Sequence, residues 1–119
     1  MRDHKKLQAF QLADEVVFDV YKVTATFPKQ ELFGLVSQMR RAAVSVACNI
    51  VEGCARHTES EYVRFLDMAY GSAKELDYET SLANRLGFLT DKDYRRLAEG
   101  TDHSCRVLAA LIKSFRKRG

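Results

Sequence analysis

Two short runs in this chain have the composition of a zinc site. Cys54-x-x-His57 and His103-x-Cys105 together offer two thiolates and two imidazoles, the ligand types of a tetrahedral centre whose bonds are all near 2 Å. For the four to meet, the segments that carry them must end level with one another. If 54 and 57 close one helix and 103 lies inside another, His103 stands about fifteen residues down its helix from the level of His57. That is roughly 22 Å at the helical rise, so no metal site is expected within one chain. Ser45, Asn49 and Glu52 follow one another at four- and three-residue steps, the spacing that puts side chains on one helix flank. No histidine stands beside them to act as a base. The acidic groups further along make no Glu-x-x-His pair of the di-iron kind, and no glycine-rich phosphate loop occurs. Cys48 reads as a small hydrophobe and not as a nucleophile. The expectation is a protein that is not an enzyme and has no cofactor.

The chemistry that remains is electrostatic. Residues 1–50 carry seven basic and five acidic groups, residues 51–90 four and seven, and residues 91–119 eight and four, so the net charge of +3 is sorted along the chain. Whether the basic groups form one surface depends on the elements that carry them.

Those elements are helices. Leu7, Phe10, Ala13, Val17, Val20, Tyr21 and Thr24 recur at heptad-like steps and predict a first helix over about 6–26, closed by Phe27-Pro28 because proline disfavours helical geometry in the residue before it. A second helix is expected over about 32–54. Its apolar face is Met39, Ala42, Ala43, Val46, Ile50 and Val51, with a second stripe of Gln38, Arg41, Ser45, Asn49 and Glu52 beside it. Thr58 followed by Glu61 is a capping-box pattern that opens a third helix, which keeps one apolar face to about residue 85 and meets Gly87 as its terminator. Thr90 opens a fourth, whose stripe runs from Tyr94 to Phe115 and ends in the basic tail Arg116-Lys117-Arg118. Tyr62 and Phe115 fall on apolar faces and are expected in the core. No segment alternates with the period of a strand.

Short connections make sequential helices antiparallel neighbours, so residues 1–119 are expected to form a single all-α domain, an up-down-up-down four-helix bundle. Stepping away from the turn between the second and third helices predicts a polar seam in which Arg41 pairs with Glu75 and Glu52 with Arg64, with Asn49 between them. The same register puts Gly71 against Ala42 and Ala43 as a close-approach glycine. Three cysteines without CxxC spacing read as reduced thiols. Asp14, Glu15 and Asp19 break what would otherwise be a signal-peptide core, and no run of eighteen apolar residues occurs, so a cytoplasmic protein with no membrane partner is expected.

Several of these residues carry a resemblance. Phe27-Pro28, Gly34-Leu35 followed by QMRRAAVSVACNIVEG at 38–53, Arg64-Phe65-Leu66, Ala69-x-Gly71-Ser72-x-x-Glu75-Leu76 and Leu86-Gly87-Phe88-Leu89 resemble the bacterial four-helix-bundle protein family. The resemblance spans nearly the whole chain. That family includes proteins encoded by intervening sequences within large-subunit ribosomal RNA genes, and is similar to the accessory variability protein of diversity-generating retroelements. The resemblance implies a ring-shaped homopentamer without catalytic activity. For the retroelement relatives it implies binding of nucleic acid and of a reverse transcriptase. Cys48 and Cys54 depart from the small residues expected at their positions.

In the antiparallel register the N-terminus, the turn after the second helix and the C-terminus meet at one pole. Arg2, Lys5, Lys6, Arg56, Lys113, Arg116, Lys117 and Arg118 therefore form the candidate nucleic-acid surface, opposed mainly by Asp3, Glu59 and Glu61. Such a surface would contact phosphate in RNA or DNA, since no base-reading motif is present. The alternative is a protein-interaction scaffold without nucleic-acid binding. Tyr70, Tyr78 and Phe88, partly off the core stripe, then either fill an interface or shield the bundle's own edges.

Overall fold

The apolar stripes fold as four α-helices: α1 (Gln8–Thr24), α2 (Ser37–Cys54), α3 (Glu59–Arg85) and α4 (Asp91–Arg116). The computed structural model describes residues 2–117, and no strand occurs among them. α1 packs on α2 and α4, α2 on α3, and α3 on α4, a closed cycle compatible with an antiparallel four-helix bundle. The molecule measures 45 × 22 × 20 Å, the long axis being about the length of α3 at helical rise.

The two threonine hydroxyls cap their helices as the sequence predicts. The Thr58 hydroxyl accepts a hydrogen bond from the Glu61 amide at 3.1 Å, and the Thr90 hydroxyl accepts from the Asp93 amide at 3.1 Å. Gly87 takes φ of +80°, the left-handed geometry that ends α3 at little steric cost. Phe27 is buried and packs against Phe88 at 5.4 Å, so Phe88 covers the bundle's own edge, whereas Tyr78 is exposed.

Two helix starts lie later than expected. His4–Lys6 is a separate 3-10 turn capped by Asp3, and α1 begins at Gln8. Leu32–Val36 is a π-helical segment in which Gly34 leaves helical geometry (φ −108°, ψ −110°), so the regular part of α2 begins at Ser37. The Glu31 carboxylate holds this irregular turn by accepting from the Leu35 amide at 3.2 Å.

The core has two continuous parts. One joins Ala13, Val46, Ile50, Tyr62, Leu66, Ala69 and Leu108; the other joins Val20, Met39, Ala43, Leu76, Ala83 and Leu97. Small residues on α2 and α3 allow the two helices to approach closely.

The expected seam is only partly present. Ser45 and Ser72 hydroxyls bond each other at 2.8 Å, and the Asn49 amide donates to the Ser45 carbonyl at 2.9 Å and to its hydroxyl at 3.1 Å. Arg41 and Glu75 form no ion pair, nor do Glu52 and Arg64, and all four side chains are exposed. At about 100° per residue, Arg41 and Glu52 lie about 160° and 140° around α2 from buried Met39. Of the flank, the Ser45 hydroxyl bonds across to α3, and Asn49 braces it from one turn along α2.

The glycine expectation is corrected as well. Gly71 is exposed, and a Cβ there would meet nothing within 4 Å. The close approach is at Gly53, where a Cβ would stand 2.9 Å from the Phe65 Cβ and 3.4 Å from Tyr62. These two sites predict opposite signs. Gly53→Ala should lose about 1–2 kcal/mol, because a clash with a side-chain root outweighs the ~1 kcal/mol of helix propensity gained. Gly71→Ala should gain about 0.5–1 kcal/mol. Urea denaturation of both variants checks the register, and a gain at both would contradict the close approach of α2 and α3 at Gly53.

Candidate nucleic-acid interface

The chain termini are tied to the α2–α3 turn by specific contacts. The Arg2 amide donates to the Cys54 carbonyl at 3.1 Å, one of the carbonyls that the end of α2 leaves without a helical partner. The Arg2 guanidinium lies 3.9 Å from the centre of the Tyr62 ring and 5.6 Å from that of Phe115. Tyr62 and Phe115 meet edge-on at 5.4 Å. One arginine thereby joins the N-terminal segment to α2, α3 and α4.

The 3-10 turn places Lys5 and Lys6 next to this clamp. Asp3 accepts from the Lys5 amide at 3.1 Å, and the Gln11 side chain donates to the Lys5 carbonyl at 3.0 Å. The His4 ring packs against Phe10 at 4.8 Å, leaving both lysine side chains in solvent. Across the turn, the Arg56 guanidinium lies 5.7 Å from the Phe65 ring, and its Nε is buried without a partner among the described residues.

α4 supplies the rest. Arg116 donates to the Asp67 carboxylate of α3. Lys113, Arg116 and Lys117 border a groove of about 400 Å³ together with Asp67, Tyr70, Ala109 and Ile112. No ion pair among the described residues occupies Lys5, Lys6, Lys113 or Lys117. Arg118 lies outside the described residues.

The pole thus contains two kinds of cation. Arg2, Arg56 and Arg116 are held by rings or a carboxylate of the chain itself, whereas the four lysines face solvent. Planar guanidinium stacks on aromatic rings and pairs with carboxylates, and a compact ammonium on a long stem stays hydrated, so the division follows from the residue types. The acidic groups nearby are Asp3, Glu59, Glu61 and Asp67.

Burial disfavours the thiolate at two of the three cysteines. Burial pushes the Cys54 thiol up, against the opposing pull of Arg2, and burial likewise raises Cys105, against Lys74. A raised thiol holds less of the nucleophilic thiolate. Cys48 is exposed, contrary to its expected packing as a small hydrophobe. No group of three or more His, Cys, Asp or Glu side chains among the described residues is placed to hold a metal ion.

A second surface, which the sequence pattern did not single out, lies at the opposite end of α2. Leu32 and Phe33, the latter 92% exposed, border a cleft of about 1040 Å³ whose other walls include Tyr21, Val36, Arg41 and Glu75. Its sequence signal was the pair of large apolar residues in Glu31-Leu32-Phe33-Gly34, which reads equally well as the first turn of a helix.

The sequence profile of the 23S rRNA-intervening sequence proteins matches residues 5–110. Among solved structures, a protein with unknown function from the S23 ribosomal protein family of Bacteroides thetaiotaomicron VPI-5482 superposes with a TM-score of 0.79 at 21% sequence identity. The match covers 88% of this chain and 98% of that chain. At that identity the likeness concerns the fold alone. No curated protein matches the sequence. No helix among the described residues is long and apolar enough to cross a membrane.

Proposed function

The chain belongs to the family of 23S rRNA-intervening sequence proteins, and on that premise we propose that it is a non-enzymatic accessory protein that binds RNA or DNA through its basic pole. The observation that carries this reading is the convergence of Lys5, Lys6, Lys113 and Lys117 at one end of the molecule without an ion pair among the described residues. Lysine ammoniums held in solvent are available to phosphate, and each phosphate neutralised releases counterions and strengthens binding. A ring-shaped homopentamer, as the resemblance implies, would present this pole five times and multiply its field.

A second reading, a scaffold for protein partners, draws on the Phe33 cleft. A ring 92% exposed beside an open cleft is a contact surface of the kind that hydrophobic interfaces use. Recruitment of a reverse transcriptase, or contact between copies, would use that end and leave the basic pole free. The two readings are therefore compatible in space and separable by salt.

Light scattering coupled to size exclusion, with and without a mixed single-stranded RNA at low and physiological salt, tests both. A pentamer that takes up RNA at low salt and releases it as salt rises is expected. Replacing Lys5, Lys6, Lys113 and Lys117 together with Ser should spare the fold, weaken RNA binding at least tenfold, and flatten the log–log salt slope by about 0.7 for each phosphate that is no longer neutralised. Binding that ignores both salt and these substitutions would leave only the scaffold.

A further inference from the structure

The groove between α3 and α4 adds an aromatic ring to the cations of the pole, a combination that solubility does not call for. Tyr70 is half-buried on α3 and faces the same space as Ala109 and Ile112, while Lys113, Arg116 and Lys117 stand around it. Asp67, the one acidic wall residue, accepts from Arg116, which offsets its charge. With Asp67 neutralised in this way, Lys113 and Lys117 leave the groove electropositive. At about 400 Å³ it has the size of a small-ligand site.

We propose that this groove holds one nucleotide of a single strand, its base against Tyr70 and Ile112 and its phosphate on Lys113 and Lys117. The proposal rests on the nucleic-acid reading above and adds to it the class of nucleic acid and the point of base contact. Charge complementarity selects an anion, and the ring and aliphatic walls select an anion that also carries a flat apolar group. A nucleotide has both. A duplex keeps its bases stacked inside and could offer the groove only phosphate. Single strands bind by this division of labour, cations following the backbone and aromatic rings receiving bases. The geometry supplies one ring for one base, so it predicts tolerance of base identity.

The test is anisotropy of a fluorescein-labelled oligouridine of about 15 nucleotides, within the range one protein unit covers, measured across a salt series. Tyr70→Leu should weaken binding about tenfold while leaving the salt slope unchanged, because the substitution removes a stacking surface and leaves every phosphate ligand in place. Tyr70→Phe should bind as the native chain does. A duplex of the same length should bind more weakly and be indifferent to Tyr70→Leu. If Tyr70→Leu binds oligouridine normally while the four-lysine variant does not, contact is with phosphate only and the base groove is wrong, though the wider reading stands. Failure of the native chain to bind oligouridine at low salt overturns both. Circular dichroism establishes that Tyr70→Leu is folded. Should it unfold, photocrosslinking of native protein to a 5-bromouridine oligomer decides instead, with an adduct on Tyr70 expected and adducts confined to other residues overturning the groove.

Discussion

Raising the pH from about 4.5 to about 7 should cost this protein stability, and Glu79→Gln should abolish the cost. Glu79 is 4% exposed on α3, and its Oε1 is buried without a partner among the described residues. Burial, and then the charge of Glu75 one turn away and a hydrogen bond to it, raise the Glu79 carboxyl from 4.5 to about 7. A carboxylate in this setting has lost its water and faces a like charge, so the protonated form is favoured. Between the two values the folded chain keeps a proton that the unfolded chain has released. Stability therefore falls as pH rises through this window and levels off above about 7. The loss amounts to about 3 kcal/mol at its full extent. For a domain of this size that is a large share of the total. Chemical denaturation of the native chain and Glu79→Gln from pH 5 to pH 8 measures it. The variant should be more stable than the native chain at pH 8 and nearly equal to it at pH 5. Parallel pH profiles for the two, with or without a constant offset, would show that the titrating group is not Glu79.

Glu79 also shows where reading the sequence stops. The four helices were legible because their apolar residues repeat with helical period over long stretches, and because Thr58, Thr90 and Gly87 mark ends whose chemistry is local. The basic pole was legible too, since short connections dictate antiparallel neighbours and so bring the termini beside the α2–α3 turn. Pair geometry was not. The seam assignment had Arg41 and Glu75 at nearly the right height along the bundle, yet both side chains are exposed without pairing, and the hydrogen bond that crosses the interface joins Ser45 to Ser72, with Asn49 supporting Ser45 from its own helix. Height along a bundle follows from loop length, whereas rotation about each helix axis is set by packing. An error of one residue there is about 100°. The same limit misplaced the close-approach glycine from Gly53 to Gly71. Glu79 lies on that ambiguous flank, about 100° around α3 from Tyr62, where a carboxylate ordinarily reaches water. Nothing in its own sequence neighbourhood marks it as buried. Within the candidate interface, residue type divided the cations more sharply than position did: Arg2, Arg56 and Arg116 found rings and a carboxylate, and the four lysines made no ion pair among the described residues.

Tyr62→Ala should cost about 3–5 kcal/mol, the range for removing a large buried aromatic side chain. Tyr62 is 1% exposed, and its ring joins three parts of the chain. Phe115 of α4 meets it edge-on at 5.4 Å, the Arg2 guanidinium stands 3.9 Å from its centre, and Gly53 of α2 leaves room for its edge. The arginine contact contributes about 0.5–2 kcal/mol at most, so lost packing and the cavity dominate. Tyr62→Phe keeps the ring and loses only a hydroxyl beside the Cys54 thiol, and should cost about 1 kcal/mol or less. The pair of variants separates the ring from its polar tip, and an equal loss in both would refute a packing role. Arg2 then decides what the clamp is for. Because its guanidinium covers Tyr62 and its amide is held by the Cys54 carbonyl, it acts as a structural strap before it can act as a phosphate ligand. Arg2→Met keeps the stem over the ring and removes the charge. That variant should lose a little stability and keep most RNA affinity. The opposite result, full stability with RNA affinity abolished, would return Arg2 to the phosphate-binding set and place the contact surface across the clamp instead of beside it.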